Sequence, residues 1–590
     1  MVESIAGIMA TLFLLWTGLT MSWCPRALCL EPAFRQLDQG LNENDGAMAQ
    51  EVITLPLEKN SSLGMPSVHE RLAAVLGEPR AGDLVDVTIS GSIATDRGAA
   101  SYVRLTRQDE RAIEGTYDAR GEIVYTYLVV IDGLRTQDAL DEELMPTVSA
   151  LIRFDSTYWE QARAVMTTRT NANHTAMITG TYPSGNGIVG NEFCRRFSPF
   201  VSRLEGQTLA SHCTPIEFED PSLLQAETLF QAIEAQRPGL VTAAVFGKQK
   251  LADLLGNGAD IVWGSEEAGP SEKDLVTGYS FDWRTMDQVL WVSQQYDAEF
   301  TFVNLADVDR VQHESGPGSP EARAAVAATD REIERLIAYL RDSGKWGRSV
   351  VMITADHSFT NVSYNPEHQY VLLKTLPEFL PESGIVFLAN GPTDHLYLEV
   401  SDPEHLSDEE HQRLREIRDL ILSVPGVDEA LYRLPNPFDP GNDLQVVHPD
   451  WHLDHERAGE LVITAVEGYT FCDNPDLSVA YGCAEFAPMK GDHGGPYQRH
   501  VPLLITGGSS LVRRQIIPPS DPARVNQIDD TTLLPEQAEV VDLAPTVAWI
   551  YEVNPPAQGL GRPLTEALQS HKPSGMPPRT SSLSRTVQQR

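Results

Sequence analysis

Four nearly continuous apolar runs, Tyr125 to Ile131, Leu240 to Phe246, Phe300 to Leu305 and Val350 to Thr354, constrain this chain more than any other feature. A strand that meets water on one face alternates polar and apolar residues. These runs do not alternate, so both faces must be covered, as in a parallel sheet held between layers of helices. Helical stretches separate them. Over Glu321 to Leu340, the residues Ile333, Leu336, Ile337 and Leu340 recur at steps of three and four and form one apolar stripe for packing on a sheet. The expected fold class is α/β, with a doubly wound, mostly parallel sheet.

A chain of 590 residues exceeds what one core needs, and its 42% apolar and 22% charged residues are ordinary globular composition. After His357 the strand–helix order breaks. A hairpin-like stretch from Gly384 to Val400 is followed by a helix opened by the capping box Ser407-x-x-Glu410 and then by a strand run, Glu460 to Val466. This is an inserted α+β cap rather than a loop. The expected organisation is a signal peptide or membrane anchor at 1–29 and a linker with a small strand-rich N-terminal extension at 30–122. The core's first part follows at 123–360, the cap at 361–490, the core's second part at 491–566 and a disordered tail at 567–590.

The apolar run at residues 5–23 has the length of a signal h-region or a possible membrane anchor, although Glu3 precedes it and no Lys or Arg does. Cys194 with Cys213 and Cys472 with Cys483 form two local pairs, as expected of disulfides in an extracytoplasmic protein; four free thiols are the alternative. With 83 acidic against 45 basic residues and a net charge of −38, the surface offers no broad footprint for duplex nucleic acid. A small phosphate-ester substrate remains compatible, because a metal site reverses the local field.

Ligands collect where parallel strands end. Three of the runs end in carboxylates: Asp132, then Asp307 and Asp309 with His313 following, then Asp356-His357. Each alone reads more readily as a cap or turn residue. Together their carboxylate oxygens and imidazole nitrogens are the donors of a catalytic zinc site, and His493 in the turn Gly491-Asp-His493-Gly-Gly adds another. Thr170 stands at an expected helix start, where a hydroxyl is either a cap or, beside a metal, a nucleophile.

In this order and spacing, Asp132, Thr170-x-x-Asn173-His174, Asp309-x-x-x-His313, Asp356-His357 and His493 resemble the alkaline phosphatase superfamily, and within it the nucleotide pyrophosphatase/phosphodiesterase branch, over residues 124–566. The resemblance implies two zinc ions per chain. Asp309, His313 and His493 would hold one, and Asp132, Asp356 and His357 the other, with the Thr170 oxygen completing its shell. Asp309 is preferred to Asp307 because the family's aspartate precedes its histidine by four positions. Thr170 would form a covalent phospho-threonine and Asn173 would hold a non-bridging phosphate oxygen. The implied activity is cleavage of phosphodiester or pyrophosphate bonds in nucleotide-like or other small substrates.

Thr170-Asn-Ala-Asn and Gly187-Ile-Val-Gly-Asn-Glu-Phe also resemble phosphonoacetate hydrolases, which makes carbon–phosphorus hydrolysis the alternative. A secreted binding protein on an inactive scaffold is a third reading, but it calls for a lost ligand and none is missing. Arg135, Lys248, Arg195 and Arg196 are candidate phosphate or nucleoside contacts, although each reads more readily as a solvated surface charge. No basic clamp is visible among them, so diesters are expected to react faster than monoesters. His448, His452 and His455 read as a polar loop of the cap. Asp330 falls on the buried stripe of its helix and must either orient a metal-bound histidine or cap a neighbouring segment.

Overall fold

The structure, a computed structural model, describes residues 123–196, 213–216, 221–362, 370–371, 373, 383–471, 490–519 and 537–569, with the backbone of short strands at 52–55, 85–89, 103–107, 475–476 and 482–483. The segment expected to be a signal or anchor, the tail beyond 569 and the expected Cys472–Cys483 pairing lie outside the described residues. Among the described residues no helix is long and apolar enough to cross a membrane. Residues 1–112 form a compact unit, in which Val52–Leu55, Val85–Ile89 and Val103–Arg107 make an antiparallel three-stranded sheet.

The second unit is built on a nine-stranded sheet. Its strands in chain order are β1 Tyr125–Ile131, β2 Ser156–Arg163, β3 Thr242–Phe246, β4 Ile261–Trp263, β5 Phe300–Leu305 and β6 Ser349–Thr354, followed by β7 His500–Thr506, β8 Gln515–Ile517 and β9 Ala538–Glu539. The order across the sheet is β8-β2-β7-β6-β1-β5-β3-β4, with β9 also paired to β2. Only β7 runs against the rest, antiparallel to both β6 and β2. The four apolar runs are four of the parallel strands, and β1, β3, β5 and β6 are buried along their whole length.

Helix α1 spans Thr170–Thr179, α2 Asp307–Ser315 and α3 Pro320–Asp342. In α3 the stripe Val326, Ile333, Leu336, Ile337 and Leu340 is buried against the core. Asp330 lies on the same stripe. Its carboxylate accepts the backbone N–H groups of Thr147 at 3.0 Å and Val148 at 2.9 Å, so it caps the short helix Pro146–Ala150 rather than orienting a histidine. Two N–H donors at a helix start offset the cost of burying the charge.

Between β6 and β7, strands Ile385–Asn390, Thr393–Leu398, Leu461–Ala465 and Val427–Tyr432 form an antiparallel sheet in that order. Phe387, Leu396, Leu398 and Ile463 meet Leu414 and Ile417 of the helix Asp408–Ile421, whose start carries the capping box of Ser407 and Glu410. Cys194 and Cys213 are joined in a disulfide.

Candidate functional site

The strand ends place the polar residues. Asp132 follows β1, Asp309 lies in the first turn of α2 just beyond β5, Asp356 and His357 follow β6, and Lys248 comes two residues after β3. All five occupy one rim of the sheet, the carboxyl edge of its parallel strands. Because β7 is antiparallel, the turn before it returns to the same rim and delivers His493.

Asp132, Asp309, Asp356, His357, His493 and Thr170 are buried, and His313 is half-buried. Each carboxylate commits one oxygen to the protein. Asp132 Oδ2 accepts from Asn304 Nδ2 and from Lys248 Nζ, both at 2.8 Å, and Asp309 Oδ2 accepts from Lys248 Nζ at 2.7 Å. Asp356 Oδ1 accepts the N–H groups of Gly133 at 3.0 Å and His357 at 3.1 Å. The other oxygens, Asp132 Oδ1, Asp309 Oδ1 and Asp356 Oδ2, are buried with no hydrogen-bond partner among the described residues. Three such orphans in one place are costly unless something cationic is meant to sit among them.

The histidines present the complementary half. Nδ1 of His313 faces Gly491 O at 3.2 Å, that of His357 faces Ser358 O at 3.2 Å and that of His493 faces Thr168 O at 2.8 Å. Only a protonated Nδ1 can donate to a carbonyl, so each Nε2 is left with its lone pair. Those atoms face the orphan oxygens. His493 Nε2 and His313 Nε2 lie 3.4 and 3.5 Å from Asp309 Oδ1, and His357 Nε2 lies 3.2 Å from Asp356 Oδ2 and 3.6 Å from Asp132 Oδ1. Burial holds the His357 pKa down at about 4 and that of His493 well below the ordinary value, which keeps both in the neutral, ligating form. The donors fit a divalent metal of the zinc type.

Among the described residues, three groups lie close enough to hold a metal ion: Asp309, His313 and His493; Asp132, Asp309 and His357; and Asp132, His174 and Asp356. The first is the expected set. The expected second set, Asp132, Asp356 and His357, is distributed over the other two, with Asp309 reaching into both halves of the cluster. His174, named only as part of a motif, has its nitrogens engaged: Nδ1 donates to Thr170 O at 2.9 Å and Nε2 accepts from Asn304 Nδ2 at 3.0 Å. It orients Asn304, which in turn holds Asp132. Asp307 is apart from the cluster, exchanging backbone-to-carboxylate hydrogen bonds with Asp282.

Thr170 is the first residue of α1, not its cap. The cap position belongs to Arg169, which contributes no capping side chain. Thr170 Oγ1 lies 3.3 Å from Lys248 Nζ and 3.5 Å from His357 Nε2. The neighbouring hydroxyls do structural work instead: Thr167 Oγ1 donates to Val189 O, and Thr168 Oγ1 donates to Gly495 O while accepting from Gly494 N.

Asn173 corrects an expectation. Its amide is fully buried, with Oδ1 accepting from Val165 N at 2.8 Å and Nδ2 donating to the carbonyls of Val165, Thr167 and Arg169 at 3.3, 3.1 and 3.1 Å. It pins the loop that leads into Thr170 and has no free donor for phosphate. Another asparagine, the half-buried Asn191, is bonded next to Thr170: its Oδ1 accepts the N–H of Asn171, the following residue, at 3.0 Å. The quoted stretch Gly187 to Phe193 contained it, but nothing in the sequence placed it beside Thr170.

Of the four basic candidates, only Lys248 enters the cluster. Arg135 pairs with Asp138, Arg196 pairs with Glu460 of the cap, and Arg195 is exposed. Lys250, two residues past Lys248, was not anticipated. It is half-buried within the fields of Lys248, Asp132, Asp309 and Arg169, and burial followed by the Lys248 ammonium lowers its pKa to about 8. His448, His452 and His455 have separate partners, Glu429, the ring of Tyr182 and Gln225.

A family model described as type I phosphodiesterase / nucleotide pyrophosphatase matches residues 126–496, more than half of the chain. The chain is 22% identical over 444 residues to ectonucleotide pyrophosphatase/phosphodiesterase 2 of Saccharomyces cerevisiae, covering 70% of this chain and 82% of that protein. It is also 22% identical over 348 residues to human ectonucleotide pyrophosphatase/phosphodiesterase family member 5, covering 56% of this chain and 66% of that one, just under two thirds of its length. Among solved structures, murine ectonucleotide pyrophosphatase/phosphodiesterase 5, as an inactive threonine-to-alanine variant in complex with AMP, superposes with a TM-score of 0.54 at 16% identity, over 76% of this chain and 100% of that one. Phosphonoacetate hydrolase from Sinorhizobium meliloti with phosphonoacetate gives a TM-score of 0.50 at 19% identity, over 71% and 94%.

Proposed function

Since the chain belongs to the type I phosphodiesterase / nucleotide pyrophosphatase family, we propose that it is a metal-dependent hydrolase cleaving phosphodiester or pyrophosphate bonds of small, nucleotide-like substrates, with Thr170 as nucleophile. One observation carries this reading: three orphan carboxylate oxygens and three imidazole Nε2 lone pairs converge beside a hydroxyl that caps nothing. Asp309, His313 and His493 would hold one zinc ion, and Asp132, Asp356 and His357 a second. Such a pair supplies charge neutralisation at the attacking and leaving oxygens of an in-line displacement.

The chain's own groups have defined parts. The Lys248 ammonium, 3.3 Å from Thr170 Oγ1, favours the deprotonated oxygen. Thr170 Oγ1 bonds to phosphorus as the leaving oxygen departs, and water then breaks the phospho-threonine and restores the hydroxyl. Asn191 takes the role expected of Asn173, steadying a non-bridging oxygen. An extracytoplasmic location is supported by the Cys194–Cys213 disulfide and by the apolar run at 5–23.

A second reading has an observation of its own. The Lys248 ammonium lies 3.3 Å from Thr170 Oγ1, and Lys250, two residues on, is near enough to feel the charges of Lys248, Asp132 and Asp309; two cations near the cluster, where no basic clamp was expected, favour a substrate carrying more than one negative charge, such as a phosphomonoester dianion or a carboxylated phosphonate. Turnover of an aryl phosphodiester, an aryl phosphomonoester, a dinucleoside pyrophosphate and phosphonoacetate by zinc-loaded protein tests both. Fastest hydrolysis of the diester or pyrophosphate supports the first reading, fastest hydrolysis of the monoester or phosphonate supports the second, and no turnover of any defeats both.

A further inference from the structure

The cap reaches the chemistry through one turn. Asn390 ends the cap strand Ile385–Asn390, and Asn390-Gly391-Pro392-Thr393 connects it to the strand Thr393–Leu398. The Asn390 side chain is fully buried, and its one contact within its own strand is long, Nδ2 to Leu388 O at 3.5 Å. Its Oδ1 accepts the backbone N–H of Asn191 at 2.7 Å and that of Glu192 at 3.1 Å, and its Nδ2 donates to Glu192 O at 2.8 Å. Asn191 Oδ1 in turn accepts the N–H of Asn171, directly after the nucleophile.

The same turn also touches the opposite wall of the site. A Cβ on Gly391, which has φ +69°, would lie 2.1 Å from His493 O, and one on Gly494 would lie 1.8 Å from Asn390 O. Thr393 Oγ1 donates to Gly494 O at 2.8 Å. On the nucleophile's side, a Cβ on Gly190 would lie 2.4 Å from Asn390 Oδ1. Glycine is present where two backbones approach too closely for any side chain. One four-residue turn is thus wedged between the loop of Asn191 and the loop of His493.

We infer that Asn390 is a positioning residue for the reaction: it sets the place of Asn191 relative to Thr170, so the geometry of the phosphate pocket depends on the docking of the cap. This rests on the proposed hydrolase reading. Asn390 is remote in sequence from both loops and touches neither the nucleophile nor the metal-type ligand side chains. Its effect passes through the Asn191 backbone, where two N–H groups share one acceptor. Removing that acceptor takes one hydrogen-bond partner from the backbone of Asn191 and one from that of Glu192 and frees the loop to move. Misplacing a transition-state contact by about 1 Å lowers turnover by up to about 100-fold while leaving weaker ground-state binding nearly intact.

The experiment compares Asn390→Ala and Asn390→Asp with the parent, by kcat and KM on whichever ester the parent hydrolyses, alongside zinc content and thermal melting. The expected result is a kcat about 10- to 100-fold lower for Asn390→Ala with KM within about threefold and zinc content unchanged. Asn390→Asp, which retains the acceptor for both N–H groups, should recover much of the loss. A parental kcat in Asn390→Ala, or a loss that the aspartate does not relieve, overturns the inference. If the alanine variant does not fold, the aspartate variant and Gly190→Ala, which displaces Asn390 Oδ1 from the other side, decide it: parental kcat in Gly190→Ala sinks the idea. A parent that hydrolyses no ester counts against the hydrolase reading instead, and the affinity of zinc-loaded Asn390→Ala for inorganic phosphate by calorimetry then tests the positioning. Weaker binding than the parent's supports it, and equal binding overturns it.

Discussion

The imidazole rings of His357 and His493 lie face to face, with centroids 3.4 Å apart and planes 10° from parallel. One follows β6 and the other precedes β7, so two neighbouring strands of opposite direction bring them together. Two stacked imidazolium cations would repel at that distance, whereas two neutral rings do not. The stack, the Nδ1-to-carbonyl bonds and the lowered pKa values agree on neutral rings with Nε2 lone pairs directed at the carboxylates.

Asp309 contributes to two of the three metal-capable groups and Asp356 to one. Elemental analysis of gently purified protein should therefore find close to two zinc ions in the parent, and Asp309→Asn should lose more metal than Asp356→Asn. Equal metal content in the two variants and the parent would show that these carboxylates are not the ligands.

Thr170→Ala should lower turnover by about 1000-fold or more, because a removed nucleophile leaves only binding and electrostatics behind. Its thermal melting should stay close to the parent's, since the hydroxyl caps no helix. Thr170→Ser should retain part of the activity, having kept the oxygen and lost the methyl group that restricts its rotamer. Near-parental turnover in the alanine variant assigns the attack to water.

Asn191 and Asn173 should separate by their effect on kcat. Asn191→Ala is expected to lose about 100-fold in kcat, as for a lost oxyanion donor, together with the stability cost of leaving the buried Asn171 N–H without its acceptor. Asn173→Ala strips the partner from the buried Val165 N–H and should cost about 1–3 kcal/mol of stability, measured by denaturant unfolding. The reverse pattern would restore Asn173 as the phosphate contact.

Lys250→Ala should reduce turnover of an aryl phosphomonoester or of phosphonoacetate more than that of an aryl phosphodiester, because only the former carry the extra charge that a second ammonium meets. A uniform loss across the panel would place Lys250 outside the recognition of substrate charge.

His395 supplies a pH dependence away from the metal-type cluster. It is fully buried in the cap sheet, its Nδ1 accepts the Gly459 N–H, and burial lowers its pKa from 6.5 to about 4. The unfolded chain takes up this proton first, so the contribution is fully present above pH 6.5 and is lost as the pH falls toward 4. Unfolding curves of parent and His395→Gln between pH 7 and pH 4 should show a shallower decline in the variant. Parallel declines would mean that other groups carry the acid sensitivity.

The sequence made the frame of the site legible because a carboxylate that ends an apolar run has few places to go. Asp132, Asp309 and Asp356 sit where the strand ends put them. The rest depended on partners distant along the chain. Asn191 lies in a loop and is placed by Asn390, 199 residues away, so no local pattern announces it. Lys248 looked like a surface charge because its counterions come from two other strands. Asn304 did leave a trace: a polar side chain inside a run buried on both faces must have a partner, and here it is Asp132. Asn173 was misassigned because resemblance gave it a role before its own backbone contacts could be seen.

The lone antiparallel strand has an architectural consequence. Every other ligand leaves a strand on its way out of the sheet, whereas His493 lies on the way in, so the chain departs after His357 and returns at His493 along a single edge. Whatever is spliced into that excursion is deposited over the mouth of the site without a strand being reordered. On the proposed hydrolase reading, replacing this one continuous cassette is expected to change substrate preference, provided that the incoming piece supplies a turn able to do what Asn390 and Gly391 do.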